Sequence, residues 1–118
     1  MRVRTALGRY GEQVAAEHLE GAGLRILDRN WRCADGEIDI VAADGDTLVV
    51  CEVKTRSGLG YGDPAEAVVA AKAARLRRLA LRWLAADPST WRDLRFDIVT
   101  VLRGQDDRPL VRHLRGAF

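Results

Sequence analysis

The sequence predicts an α/β domain whose sheet is covered by helices, and three observations carry that prediction. Segments with helical apolar spacing alternate with segments of β-branched, period-two alternation. Asp44-Gly45 stands between two of the alternating segments as a hairpin signal. Asp63-Pro64-Ala65-Glu66 has the cap, proline and acid of a helix start. With 118 residues and no linker, repeat or low-complexity tract, residues 1–118 read as a single domain around one core.

Each element has its own signal. Thr5 to Gly21 is the first helix, with Leu7, Val14, Ala15, Ala16 and Leu19 on its apolar stripe and Gly-Ala-Gly at its end. Leu24 to Arg32 is a strand. Glu37 to Ala42 and Thr47 to Thr55 are the arms of the hairpin. Gly58 to Gly62 is a glycine-rich loop, and the second helix runs from Asp63 to Ala86, with a break near Val69 and Ala70. Asp87-Pro88 stops it; Leu94 to Leu102 is a further strand and Leu110 to Leu114 a short last one.

Composition excludes several classes. A hydrophobic share of 47% with 31% charged residues fits a folded soluble domain, not a disordered chain. The longest uninterrupted apolar run is five residues, Ala67 to Ala71, so no membrane span is expected. Met1 to Thr5 is basic but lacks the apolar stretch of a secretory signal. Cys33 and Cys51 form no CxxC and have no second pair, so they read as free thiols in a reducing cytoplasm.

Of the nineteen basic residues only two, Lys54 and Lys72, are lysines. In a chain that uses arginine almost everywhere, a retained lysine marks a place that suits a compact, titratable ammonium; the alternative is drift. Charge is also segregated. Between Arg32 and Lys54 there are six carboxylates (Asp35, Glu37, Asp39, Asp44, Asp46, Glu52) and no cation. Between Glu66 and Asp87 there are Lys72, Arg75, Arg77, Arg78 and Arg82 and no acid. The first pattern attracts hard cations and the second attracts phosphates, unless both only decorate solvated faces.

The hairpin turns this pattern into geometry. With Asp44-Gly45 as a two-residue loop, Asp39 lies opposite Val50 and on the same face as Glu52 and Lys54. Asp39 and Glu52 are then diagonal neighbours about 7–8 Å apart, a span one divalent ion can bridge. Glu37 shares the face. A loop one residue longer reverses the arrangement. The neighbouring Ile40, Val41, Val50 and Val53 imply partial burial, where two carboxylates repel unless a cation compensates. The competing reading is a Glu52–Lys54 ion pair on an exposed strand. Glu12 lies on the small-residue stripe of the first helix, with Gly8, Ala15, Ala16 and Leu19, so it points inward or sits at the stripe's edge. The expected arrangement has the first helix packed over the carboxylate face and Glu12 aimed at it.

Several motifs together resemble the YraN-like family of small, largely uncharacterised bacterial proteins, within the PD-(D/E)xK or restriction-endonuclease-like superfamily. They are Gly11-Glu12, Asn30-Trp31-Arg32-Cys33, Gly36-Glu37-Ile38-Asp39, Glu52-Val53-Lys54-Thr55-Arg56, Gly62-Asp63-Pro64-Ala65-Glu66-Ala67-Val68 and Arg95-Phe96-Asp97. The resemblance extends from about Leu7 to Leu102. Val69-Ala70-Ala71 departs from it, because family members often carry Thr-Pro there.

The resemblance implies an αβββαβ restriction-endonuclease-like core, a mixed central sheet flanked by helices, with Asp39, Glu52 and Lys54 as catalytic residues and Glu12 completing the set. It further implies magnesium-dependent, or manganese-dependent, cleavage of nucleic-acid phosphodiesters, with the metal on Glu12, Asp39, Glu52 and the Val53 carbonyl. Lys54 then orients the attacking water or stabilises charge at phosphorus. Arg56, Lys72, Arg75, Arg78 and Arg82 are the candidate phosphate contacts, and Tyr61 a stacking residue. The expected partner is nucleic acid, DNA before RNA, with no membrane; so small a domain also leaves room for a homodimer or protein partner. Two function classes stay open: a nuclease linked to repair or recombination, and a nucleic-acid-binding accessory protein with little or no catalysis.

Overall fold

A computed structural model of the chain describes residues 5–57, 70–104, 106 and 108–118. The glycine-rich loop, Tyr61 and the Asp63-Pro64 helix start lie outside the described residues. The elements are α1 (Ala6–Gly21), β1 (Arg25–Cys33), β2 (Gly36–Asp44), β3 (Thr47–Ser57), α2 (Ala70–Ala86), β4 (Asp93–Arg103) and β5 (Pro109–Leu114). The order is the expected αβββαβ followed by the short last strand, compatible with a restriction-endonuclease-like core.

Local chemistry explains the boundaries. Thr5 caps α1, its hydroxyl accepting the Gly8 N–H at 3.0 Å. Beyond the end of α2, the Asp87 carboxylate accepts from the Trp91 indole N–H at 2.6 Å and from the Ser89 N–H, which shapes the exit turn. No helix among the described residues is long and apolar enough to cross a membrane.

The five strands lie in the order β1-β2-β3-β4-β5, all neighbours antiparallel except β3 and β4. A parallel pair needs a crossover, and the chain between β3 and β4 supplies it with α2. Helices cover both faces, so β2 and β3 are apolar on both sides: residues 38–43 and 48–51 are all buried. On one face Ala15, Ala16 and Leu19 of α1 pack on Ile40, Ala42, Val49, Cys51, Val53, Val99 and Val101. On the other, Leu76, Leu79 and Ala80 of α2 pack on Ile38, Val41, Leu48, Val50 and Phe96.

The hairpin loop is Gly45-Asp46, closed by the Asp44–Thr47 pair, with Gly45 at φ 59°. Glycine takes this left-handed conformation without a Cβ penalty, so it leads the turn. The expected loop was Asp44-Gly45. Val50 therefore pairs with Val41, not Asp39, and every partner is displaced by two residues. A two-residue displacement keeps each side chain on its face, because alternation has period two.

One buried polar network ties β4 to the C-terminal end. Asp97, fully buried, accepts from Arg95 Nε at 2.9 Å and Nη2 at 3.0 Å and from the Gly116 N–H at 3.0 Å, and lies 2.6 Å from His113 Nε2. Burial alone pushes its carboxyl up, but Arg95, the Gly116 N–H and His113 outweigh that and hold it below the ordinary carboxylate range.

Candidate functional site

Asp39 and Glu52 come together as the alternation predicts, in a cleft of about 40 Å³ lined also by Glu37, Cys51, Arg75 and Leu76. Arg75 and Leu76 belong to α2, so the carboxylates open toward the α2 side. The expectation that α1 covers them is corrected: α1 packs on the opposite face, where its small residues meet Ile40, Cys51 and Val53.

Asp39 sits where the strands change regularity. Ile38 and Ile40 are two residues apart, yet Ile38 joins the α2-side core and Ile40 the α1-side core. The β1–β2 ladder pairs Arg29 with Ile40 and Trp31 with Ile38, leaving Asn30 and Asp39 between them. Asn30 has φ 55°, the only non-glycine positive φ among the described residues. Asparagine is one of the few residues that adopt this conformation readily. Beyond this point β2 and β3 no longer pair residue for residue; their ladder ends at Ile40–Cys51. There the Asp39 Oδ2 accepts the Val53 N–H at 2.9 Å, so a side chain takes over where the backbone ladder stops.

Glu52 is held by both lysines of the protein. Lys54 Nζ lies 3.1 Å and Lys72 Nζ 2.6 Å from the same oxygen, Oε1. The other oxygen, Oε2, is buried without a hydrogen-bond partner. Burial opposes the charge of Lys54, but the Glu52 and Asp39 carboxylates favour it, and its ammonium titrates above the ordinary range. Lys72 is displaced the other way, by burial and by the like charge of Lys54 against the pull of Glu52. In place of the competing reading, a Glu52–Lys54 ion pair on an exposed strand, the pair belongs to a half-buried three-membered cluster. Lys72, assigned on sequence to the outer phosphate contacts, is part of it.

Glu12 is buried, as its place on the small-residue stripe suggests, but it lines a different cleft, with Thr5, Leu7, Gly8, Val53, Lys54 and Thr55. That cleft borders the next residues of β3 on the α1 side. Among the described residues no three His, Cys, Asp or Glu side chains assemble as a metal cluster. The close fit of α1 on β3 comes from Gly11, where an added Cβ would stand 2.7 Å from the Cβ of Thr55.

The basic residues separate. Arg75, Arg78 and Arg82 are exposed along α2 while Leu76 and Leu79 are buried, as the helix spacing predicts. Arg82 pairs with Asp35 at 2.9 Å, tying α2 to the β1–β2 turn. Arg75 faces both the carboxylate cleft and a larger groove of about 480 Å³ formed with residues 32–37. Arg56 lies in β3 two residues beyond Lys54, on the same face by alternation. Sequence reasoning missed the contact of Lys72 with Glu52 and the place of Asn30 opposite Asp39. The signal for Asn30 was an asparagine set inside an otherwise regular strand.

Two carboxylates suffice for a magnesium site, since this ion keeps most of its waters and recruits substrate phosphate. The cleft has room for a water-sized group, and the unbonded Glu52 Oε2 is an acceptor without a donor. On both counts Asp39 and Glu52 fit a small divalent cation.

A model of the uncharacterised protein family UPF0102 matches residues 11–101. A UPF0102 protein of Frankia casuarinae is 58% identical over 118 residues, covering all of both chains. One from Acidothermus cellulolyticus is 53% identical over 125 residues, covering 98% of this chain and 95% of its own. Another, from Rhodococcus opacus, is 51% identical over 113 residues, 96% of each chain.

Proposed function

The chain belongs to UPF0102, the YraN-like family, and from that membership and the two-carboxylate cleft we propose that it is a metal-dependent nuclease hydrolysing phosphodiester bonds of DNA. The observation that carries the reading is Glu52: one oxygen receives two ammonium groups, and the other is buried, unbonded and beside Asp39. A carboxylate oxygen buried without a donor is costly as structure alone. It suits a site that completes itself with a cation and a phosphate.

Asp39 and Glu52 would hold magnesium or manganese, with the Val53 carbonyl as a further candidate, while Glu12 of α1 lines the neighbouring cleft. When bound, the ion supplies a Lewis acid that polarises a phosphate oxygen and acidifies water. Asp39 is fixed for its task by the Val53 N–H. Lys54, 3.1 Å from Glu52, is placed to donate to a phosphate oxygen or to orient water at phosphorus. Arg75 stands between the cleft and the groove of residues 32–37, so a nucleotide flanking the scissile phosphate would lie in that groove with Arg75 on its phosphate. Arg56, Arg78 and Arg82 extend the basic surface. The two unbridged thiols suit a reducing compartment, which makes the cytoplasm the proposed location.

The test is direct. Purified protein is incubated with labelled single-stranded, duplex, flapped and four-way DNA in magnesium, manganese or chelator. Metal-dependent cleavage that is lost in both Glu52→Ala and Lys54→Ala is expected. DNA bound but left intact by the wild type under every condition would overturn the reading in favour of an accessory binding protein.

A further inference from the structure

The carboxylates of the cleft are compensated before any metal arrives. Glu37, Asp39 and Glu52 line it, while Lys54 and Lys72 contact Glu52, Arg32 pairs with Glu37 at 3.5 Å and Arg75 completes the lining, four cations for three carboxylates. A divalent ion added to this set would add two further positive charges with no carboxylate left to compensate them in a half-buried place. It would also have to share the Glu52 carboxylate with two ammonium groups. An incoming phosphodiester changes both conditions, because it brings negative charge and offers the ammonium groups another acceptor.

The two lysines differ in how firmly they are tied. Lys54 shares β3 with Glu52, two residues away, and stays beside the carboxylate through strand geometry. Lys72 comes from α2, an element separate from the strand, and reaches Glu52 only through its long side chain. Four rotatable bonds let that ammonium move several ångströms without moving the helix. Arg75, one turn further along α2, marks where a phosphate would lie beside it.

We propose that Lys72 is a displaceable counter-ion: it occupies Glu52 in the empty site, moves onto the substrate phosphodiester when DNA binds, and so makes divalent-metal binding depend on the nucleic acid. Lys72 is thereby a positioning residue that acts through Glu52, separate from the outer arginines. The inference rests on the nuclease reading of the same cleft. It adds an order of assembly, in which the metal binds weakly to the free protein and more tightly in the DNA complex.

The experiment measures manganese affinity by calorimetry, with and without a saturating single-stranded phosphorothioate oligonucleotide, in wild type, Lys72→Gln and Lys72→Arg. In the wild type the oligonucleotide should tighten manganese binding on the order of tenfold, within the ordinary range of coupling between two ligands. Lys72→Gln should bind manganese about tenfold more tightly without oligonucleotide and show coupling of about twofold or less, because no ammonium from α2 competes for Glu52. Lys72→Arg keeps the charge and should stay close to wild type, which separates competition from a loss of packing. Unchanged manganese affinity and coupling in Lys72→Gln would overturn the proposal while leaving the metal site in place. Manganese bound by no variant, with or without oligonucleotide, would overturn the nuclease reading together with it.

Discussion

Replacing Gly11 by alanine sets two effects of opposite sign against each other, and the structure decides between them. Gly11 is inside α1, where an alanine is worth about 1 kcal/mol of helix propensity over glycine. Against this, the added Cβ would stand 2.6 Å from Thr55 Cγ2 and 2.7 Å from Thr55 Cβ, with Thr55 Oγ1 closer still. The shortfall from an ordinary carbon–carbon contact is about 1 Å. Rotating Thr55 cannot relieve it, because Thr55 Cβ does not move with χ1 and its strand is hydrogen-bonded on β4. α1 must therefore lift from the sheet, and overpacking of this kind costs about 1–3 kcal/mol. Taking the upper part of that range for so rigid a neighbour, the net loss is about 2 kcal/mol after the helix gain. For a domain of this size that corresponds to a fall in Tm of roughly 6–12 °C. Urea unfolding of Gly11→Ala, Thr55→Ala and the double variant measures it. The double variant should recover at least about 1 kcal/mol relative to additivity, since it removes the two closest atoms. A Gly11→Ala protein as stable as the wild type, or more so, would refute the argument that α1 docks through this contact.

Three further outcomes are expected. Lys54→Arg should lose nearly as much DNA cleavage as Lys54→Ala, because a planar fork cannot occupy the point of a compact ammonium; full cleavage by Lys54→Arg in the same gel assay would make Lys54 a mere surface cation. Asn30→Gly should retain metal binding and activity, because glycine adopts the φ of 55°, whereas Asn30→Val should lower both through misplacement of Asp39; equal manganese affinities for the two would remove Asn30 from the site's geometry. The Asp97 carboxyl titrates lower in the folded chain than in the unfolded one, so the unfolded state binds more protons as pH falls between the two values. Its stabilisation is present above about pH 4 and is lost as pH drops through the folded value. Urea midpoints measured from pH 6 to pH 3 should therefore fall less steeply for Asp97→Asn, which is itself less stable, than for the wild type.

The order of helices and strands, the stop of α2 before Asp87-Pro88 and the apolar face of α2 were legible in the sequence, because each is set by short-range spacing and local chemistry. The face shared by Asp39 and Glu52 was legible too. It depends only on alternation and on a two-residue loop, and it survived a displacement of the loop because that displacement was even. What local spacing cannot specify is which helix lies over which face. α1 and α2 both have an apolar stripe, and both sheet faces are apolar, so nothing in the strands says which side receives the helix with Glu12 and which the helix with Lys72. Packing decides it: Gly11 fits against Thr55, and Leu76 and Leu79 fill the opposite side around Ile38 and Phe96. The sequence by itself determined that a carboxylate pair and a retained lysine share one face of a hairpin. Only the tertiary structure brought the second lysine from a separate helix to the same carboxylate oxygen, because that contact spans a crossover and has no period along the chain.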